Sequence, residues 1–158
     1  MATTIVPSDL NVTITESYTL NGVDYGNTMN KTYTSNGQVS QRVMSVAGKG
    51  EGATVWTDIL ALSTLDGQGQ VVKIDYKYFR ITNLDTADTL NLRFYNDTEY
   101  MAFEVAPASS FLLMDAGTDS PATSSTVIAF SDITAIAGQS SNGTEGTSID
   151  VEFVMVTA

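Results

Sequence analysis

Carboxylates are almost the only groups in this sequence suited to acid–base or metal chemistry: 18 Asp and Glu, with no His and no Cys. That excludes Ser-His and Cys-His nucleophiles, thiolate zinc sites and imidazole proton transfer together. Two loop segments, Asp115-Ala116-Gly117-Thr118-Asp119 and Asp66-Gly67-Gln68-Gly69, offer carboxylates and carbonyls of the kind a hard cation prefers. Neither has the spacing of a twelve-residue calcium loop, and Asp and Gly are ordinary turn residues, so Asp115 and Asp119 stand only as weak metal candidates and no cofactor is expected. Glycoside hydrolysis needs just two carboxylates, which brings Glu99 with Glu104, and Asp150 with Glu152, into view. Residues i and i+2 of a strand share a face about 7 Å apart. Asp150 and Glu152, however, lie opposite the apolar side of their strand and read as a solvated acidic stripe.

Two other chemistries are worth weighing. Ala47-Gly48-Lys49-Gly50-Glu51-Gly52 has the glycines of a phosphate loop. Such a loop must open a helix after a strand, and the segment that follows, Ala53–Ser63, is strand-like, so a flexible connection is expected. Trp56, Tyr76, Tyr78, Tyr95 and Tyr100 are candidates for an aromatic sugar platform. A lone Trp in a strand, as Trp56 is beside Ile59 and Leu60, is more often a core residue.

The elements that must carry these residues are strands. Period-2 alternation runs through Leu10, Val12 and Ile14, through Leu90, Leu92 and Phe94, and through Ile149, Val151, Phe153 and Met155, with almost no helical periodicity. Asn21-Gly22 predicts a tight hairpin turn, because both central residues of a type I′ turn need positive φ. A second hairpin is expected between Thr28–Thr34 and Val39–Val46, turning at residues 35–38. The apolar side switches near Tyr78–Phe79, which predicts a bulge or bend there. Roughly nine or ten short strands with turns every 8–12 residues indicate an all-β fold. The expected architecture is a single antiparallel β-sandwich spanning 1–158, a jelly roll, with an extended N-terminal arm (1–9) and a projecting polar hairpin region (21–46).

A chain of 158 residues with a formal charge of −11 repels phosphate backbones, so no nucleic-acid partner is expected. No apolar run approaches the 18 or so residues of a membrane span, and Met1–Pro7 has neither the charge nor the apolar run of a secretory signal. Assembly in a host cytoplasm, with no membrane partner, is the expectation.

One long stretch carries a resemblance. Tyr78-Phe79-Arg80-Ile81-Thr82-Asn83-Leu84-Asp85-Thr86-Ala87-Asp88-Thr89-Leu90-Asn91-Leu92 runs on into Phe103-Glu104-Val105-Ala106-Pro107-Ala108-Ser109-Ser110-Phe111-Leu112-Leu113. The order is a strand, an Ile-X-Asn turn, a Leu-X-Leu strand, then a Pro-containing turn into an apolar strand. It resembles the β-sandwich capsid decoration (cement) proteins of tailed bacteriophages over residues 71–115. The opening Met1-Ala2-Thr3-Thr4 and the acidic, Cys-free, Thr/Asn/Gly-rich composition are similar in character. The resemblance implies a non-enzymatic virion structural protein, a homotrimer bound to the major capsid protein on the outer capsid surface, and it supplies no catalytic or ligand residues. Partner-facing residues expected on this reading are Thr3, Thr4, Ile5, Val6 and Pro7 of the arm, with Tyr33, Lys49 and Trp56. Alternatives are a tail, neck or fibre protein built on the same module, a carbohydrate-binding β-sandwich, and a two-carboxylate hydrolase.

Overall fold

The computed structural model describes residues 9–34, 39–49, 55–63, 71–72, 76–96, 100–114, 133–144 and 146–157. Among these every regular element is a strand: β1 (Leu10–Glu16), β2 (Thr19–Leu20), β3 (Val23–Asp24), β4 (Asn27–Tyr33), β5 (Val39–Ala47), β6 (Thr57–Ser63), β7 (Val71–Val72), β8 (Tyr76–Asn83), β9 (Leu90–Tyr95), β10 (Tyr100–Val105), β11 (Ser110–Met114), β12 (Ala135–Ser140) and β13 (Ser148–Thr157).

Two sheets face each other, one in the order β11-β8-β13-β5 and the other β10-β9-β12-β6-β7. Leaving aside β7, which joins β6 in parallel through two residues, the pairing is nested. β5 bonds β13, β6 bonds β12, β8 bonds β11 and β9 bonds β10, all antiparallel. The first strand of eight thus pairs with the last and the pairing closes inward, as if one long hairpin had been rolled into two layers. This winding is a jelly roll.

Alternation explains why the layers stick. In β9 the pattern buries Leu90, Leu92 and Phe94 and turns Asn91, Arg93 and Tyr95 outward. In β13, Ile149, Val151, Phe153 and Met155 reach the same core from the opposite sheet, where they meet Phe79, Ile81, Val46 and Ile136. Gly138 of β12 belongs to this packing: a Cβ there would sit 2.8 Å from Ile59 Cδ1 and 3.0 Å from Leu90 Cδ1. An irregularity does occur beside Tyr78: the ladder to β13 skips Lys77, pairing Val156 with Tyr78 and Thr157 with Tyr76. Beyond it Tyr78 and Val156 pack on the outside of the sheet while Phe79 and Ile81 face the core.

The N-terminal strands pair differently from the second expected hairpin. β4 does not pair with β5. It bonds β1 in register from Leu10↔Tyr33 to Glu16↔Asn27, β2 and β3 continue the ribbon, and β5 is an edge strand of the sandwich. The reason lies in the turn: Asn21 (φ 52°) and Gly22 (φ 81°) close the hairpin as expected, and once closed it fixes the register of everything from 10 to 33. Residues 35–38 lie outside the described residues. One face of this ribbon is a polar ladder, Asn11 with Thr32, Thr13 with Asn30 and Thr15 with Thr28. The other face begins with Leu10, Val12 and Tyr33, which cover Tyr78, Val156, Leu112, Met114 and Val154 on the outside of the four-stranded sheet.

The turn from β8 to β9 is built from hydrogen bonds. Asp85 caps it, its carboxylate accepting the N–H groups of Ala87 and Asp88 at 2.7 Å each. The Asp88 and Ala87 N–H groups hold the Asp85 carboxyl below its ordinary range. A depressed folded pKa gives stability that is present above the unfolded pKa and fades as pH falls through the folded one. The stability difference between wild type and Asp85→Asn, read by urea titration, is therefore expected to be largest at neutral pH and to shrink on acidification through that range. A difference that grows on acidification would contradict this account of the turn.

Candidate functional site

On the outer face of the five-stranded sheet, side chains from β6, β9 and β10 and from the residue just before β6 surround an open depression. Its lining is Trp56, Asp58, Arg93, Tyr95 and Tyr100, and its volume is about 620 Å³. Register explains the hollow. Arg93 pairs with Ala137 and Tyr95 with Ala135, while Ala137 pairs on its other side with Asp58. The central strand β12 therefore places two buried alanines between neighbours that carry long side chains. A bulge in β6 contributes. Pairing jumps from Ile136↔Leu60 to Ala137↔Asp58, so Ile59 and Leu60 both pack on the core and Asp58 stays outside.

The groups around the hollow hold one another. The Arg93 guanidinium carbon lies 4.3 Å from the Trp56 ring centre and 4.6 Å from that of Tyr95. Two aromatic faces thus clamp one cation, each contact contributing about 0.5–2 kcal/mol. Arg93 Nε is buried and has no hydrogen-bond partner among the described residues, in keeping with a side chain fixed by its faces. The Tyr95 hydroxyl donates to Asp58 Oδ1 at 3.1 Å. Burial, then the Asp58 hydrogen bond and charge, push the Tyr95 phenol above its ordinary pKa against the opposing Arg93, so it remains a donor at neutral pH. Tyr100 stands directly across from Tyr95 and is 65% exposed.

A second surface is the far end of the N-terminal ribbon. Tyr18, Leu20, Val23 and Tyr25 are each at least half exposed, and the rings of Tyr18 and Tyr25 stack at 5.7 Å. Asp24 tightens the adjacent bend by accepting the Gly26 N–H at 2.8 Å. The ribbon root is packed; the tip presents apolar groups to solvent.

The residues singled out from sequence fare unequally. Thr3, Thr4, Ile5, Val6 and Pro7, the metal candidates Asp115 and Asp119, the Asp66-Gly67-Gln68-Gly69 segment and Glu99 all lie outside the described residues. Tyr33, expected at a partner interface, is instead buried within the chain, its ring 6.1 Å from that of Tyr78. Tyr78 is likewise buried, which removes it from any sugar platform and raises its phenol pKa. Lys49 is exposed, but the glycine beside it is tied down rather than flexible. Gly48 donates to Thr147 O and Lys49 to Asn142 O, both at 2.8 Å, and a Cβ on Gly48 would lie 2.5 Å from Thr147 Oγ1. Gly50, Glu51 and Gly52 lie outside the described residues, and the next described element is strand β6. Glu152 is bound by Arg80 and Gln41, each at 2.8 Å, and Asp150 is exposed two residues away. Glu104 is exposed on β10. Among the described residues no three metal-ligating side chains gather.

Trp56, Tyr95 and Tyr100 are brought together as an aromatic group. Sequence reading missed Arg93 and Asp58. Alternation alone puts Arg93 on the face of Tyr95; Asp58 requires knowing that β6 and β9 flank β12. Comparison with known proteins finds no matching family model, no matching curated protein and no matching solved structure.

Proposed function

We propose that this chain is a non-enzymatic structural subunit of a tailed-phage particle, seated as a homotrimer on the outer surface of the capsid and reinforcing it through contacts with the major capsid protein and with other copies. The observation that carries this reading is the ribbon: a two-stranded arm with a packed root, a polar ladder on one face and an apolar tip turned to solvent. An arm of that kind spends its hydrophobic groups on a partner, since covering a Val, Leu or aromatic side chain contributes about 1.5–3 kcal/mol. The sandwich behind it serves as a rigid mount. A charge of −11 suits the outside of a shell better than the side facing packaged DNA. Many modest contacts per particle add by multivalency, so a single tip need not bind tightly. The resemblance over residues 71–115 supports the same placement.

The ribbon makes the test specific. The double variant Leu20→Asp/Val23→Asp removes apolar character at positions that are more than half exposed. It is expected to melt with the wild type and to lose at least tenfold in co-sedimentation with shells of the parent phage. Shell binding undiminished in the folded double variant would overturn the ribbon's assigned role.

A further inference from the structure

We propose that the depression on the outer face of β6, β12, β9 and β10 binds a neutral pyranose unit of a glycan. A pyranose presents an apolar C–H face and a rim of hydroxyls that both donate and accept. A site for it needs an exposed aromatic ring beside at least one fixed donor and one fixed acceptor. All three are here. Tyr100, with most of its surface open, supplies the ring. Arg93 supplies the donor, its guanidinium held between the Trp56 and Tyr95 rings before any ligand arrives. Asp58 supplies the acceptor, its carboxylate oriented by the Tyr95 hydroxyl. Groups already held in place lose little freedom on binding, which is what allows a shallow, open site to hold a small polar ligand.

The same features select against other ligands. Asp58 beside Arg93 leaves the hollow with no net charge, and the chain as a whole is strongly acidic. A uronic or sialic acid would therefore gain the guanidinium but meet the carboxylate. A purely apolar ligand would leave both charged groups without a hydrogen-bonding partner on its side. The size, about 620 Å³, falls within the roughly 300–1,000 Å³ of small-ligand sites. Between the strands that carry the lining side chains, β12 places the small residues Ala135 and Ala137 opposite Tyr95, Arg93 and Asp58, so the hollow follows from the strand order.

This site is separate from the ribbon, and its existence does not depend on the capsid reading: a glycan-binding result leaves shell docking untested, and a failure here leaves the ribbon intact. The test uses the whole chain against a panel of neutral gluco-, galacto- and manno-configured oligosaccharides, with sialylated and uronic-acid glycans as a separate arm, followed by saturation-transfer NMR. At least one neutral pyranoside is expected to bind saturably with Kd under about 1 mM. Tyr100→Ala, at an exposed position, is expected to keep the wild-type melting temperature and weaken that binding at least tenfold. Asp58→Asn should weaken it as well while leaving the Trp56–Arg93 stack in place. Absence of saturable binding by every neutral glycan, binding confined to the acidic arm, or binding unchanged in Tyr100→Ala would each overturn the proposal.

Discussion

Phe94→Ala is expected to destabilise the fold by about 3–5 kcal/mol, the range for truncating a buried aromatic ring. Phe94 is only 1% exposed and sits where four rings meet. It contacts Phe79 edge-on at 5.7 Å, Phe103 edge-on at 5.9 Å and Phe111 at 5.8 Å. Phe79 and Phe111 belong to the four-stranded sheet, Phe94 and Phe103 to the five-stranded one, so this ring joins the two layers. Its loss removes hydrophobic burial and the aromatic contacts together and leaves a cavity that β-strands pinned on both sides do not easily close. In a chain of this length each kcal/mol moves the melting temperature by roughly 2–4 °C, so thermal unfolding should fall by about 10 °C. Phe103→Ala supplies the comparison. At 38% exposure it should cost less than half as much. Equal losses at the two positions would contradict the placement of the core.

Asn83→Leu is expected to cost about 3 kcal/mol despite the similar size of the new side chain. Asn83 is fully buried at the end of β8. Its Nδ2 donates to Asp88 O at 2.8 Å, Val105 O at 3.2 Å and Ala106 O at 3.3 Å, and its Oδ1 accepts the Asp85 N–H at 3.1 Å. One amide thereby ties the β8–β9 turn to the end of β10. Leucine would leave those carbonyls and that N–H without their partner in a region water reaches poorly, and such groups cost more than the bonds had contributed. Asn83→Asp keeps the shape and the acceptor but places a charge against three carbonyl oxygens. It should be at least as damaging at neutral pH and should recover partly on acidification, when the protonated carboxyl regains one donor. Urea unfolding across pH separates the two variants. A neutral Asn83→Leu would show that the turn is held by other means.

The contrast between these two positions shows what the sequence makes legible. Phe94 announces itself, because Leu90, Leu92 and Phe94 alternate with polar residues and can only line a core. The same holds for β13, and Asn21-Gly22 marks its hairpin because few residues tolerate positive φ at two successive positions. Asn83 carries no such mark: a polar residue after a strand reads as an ordinary turn, and only the fold brings the Val105 and Ala106 carbonyls to it. Pairing beyond the hairpin was likewise hidden. The segment 28–34 alternates as well against 39–46 as against 10–16, and the choice was made by the Asn-Gly turn and by Leu10, Val12 and Tyr33 covering Tyr78 and Val156. For the depression, three of five residues were visible as aromatics. Arg93 and Asp58 join them through a strand order and a bulge that no local pattern encodes.

The proposed place on a particle's outer surface is tested most directly by counting the chain there. Purified heads from the source lysate, examined by cryo-EM with quantitative mass spectrometry of the same sample, are predicted to carry dozens to hundreds of copies, arranged with the capsid symmetry as external trimers and with the ribbon tips against the shell. Recovery of the chain only as free protein, or at the handful of copies a neck or tail would hold, would contradict it.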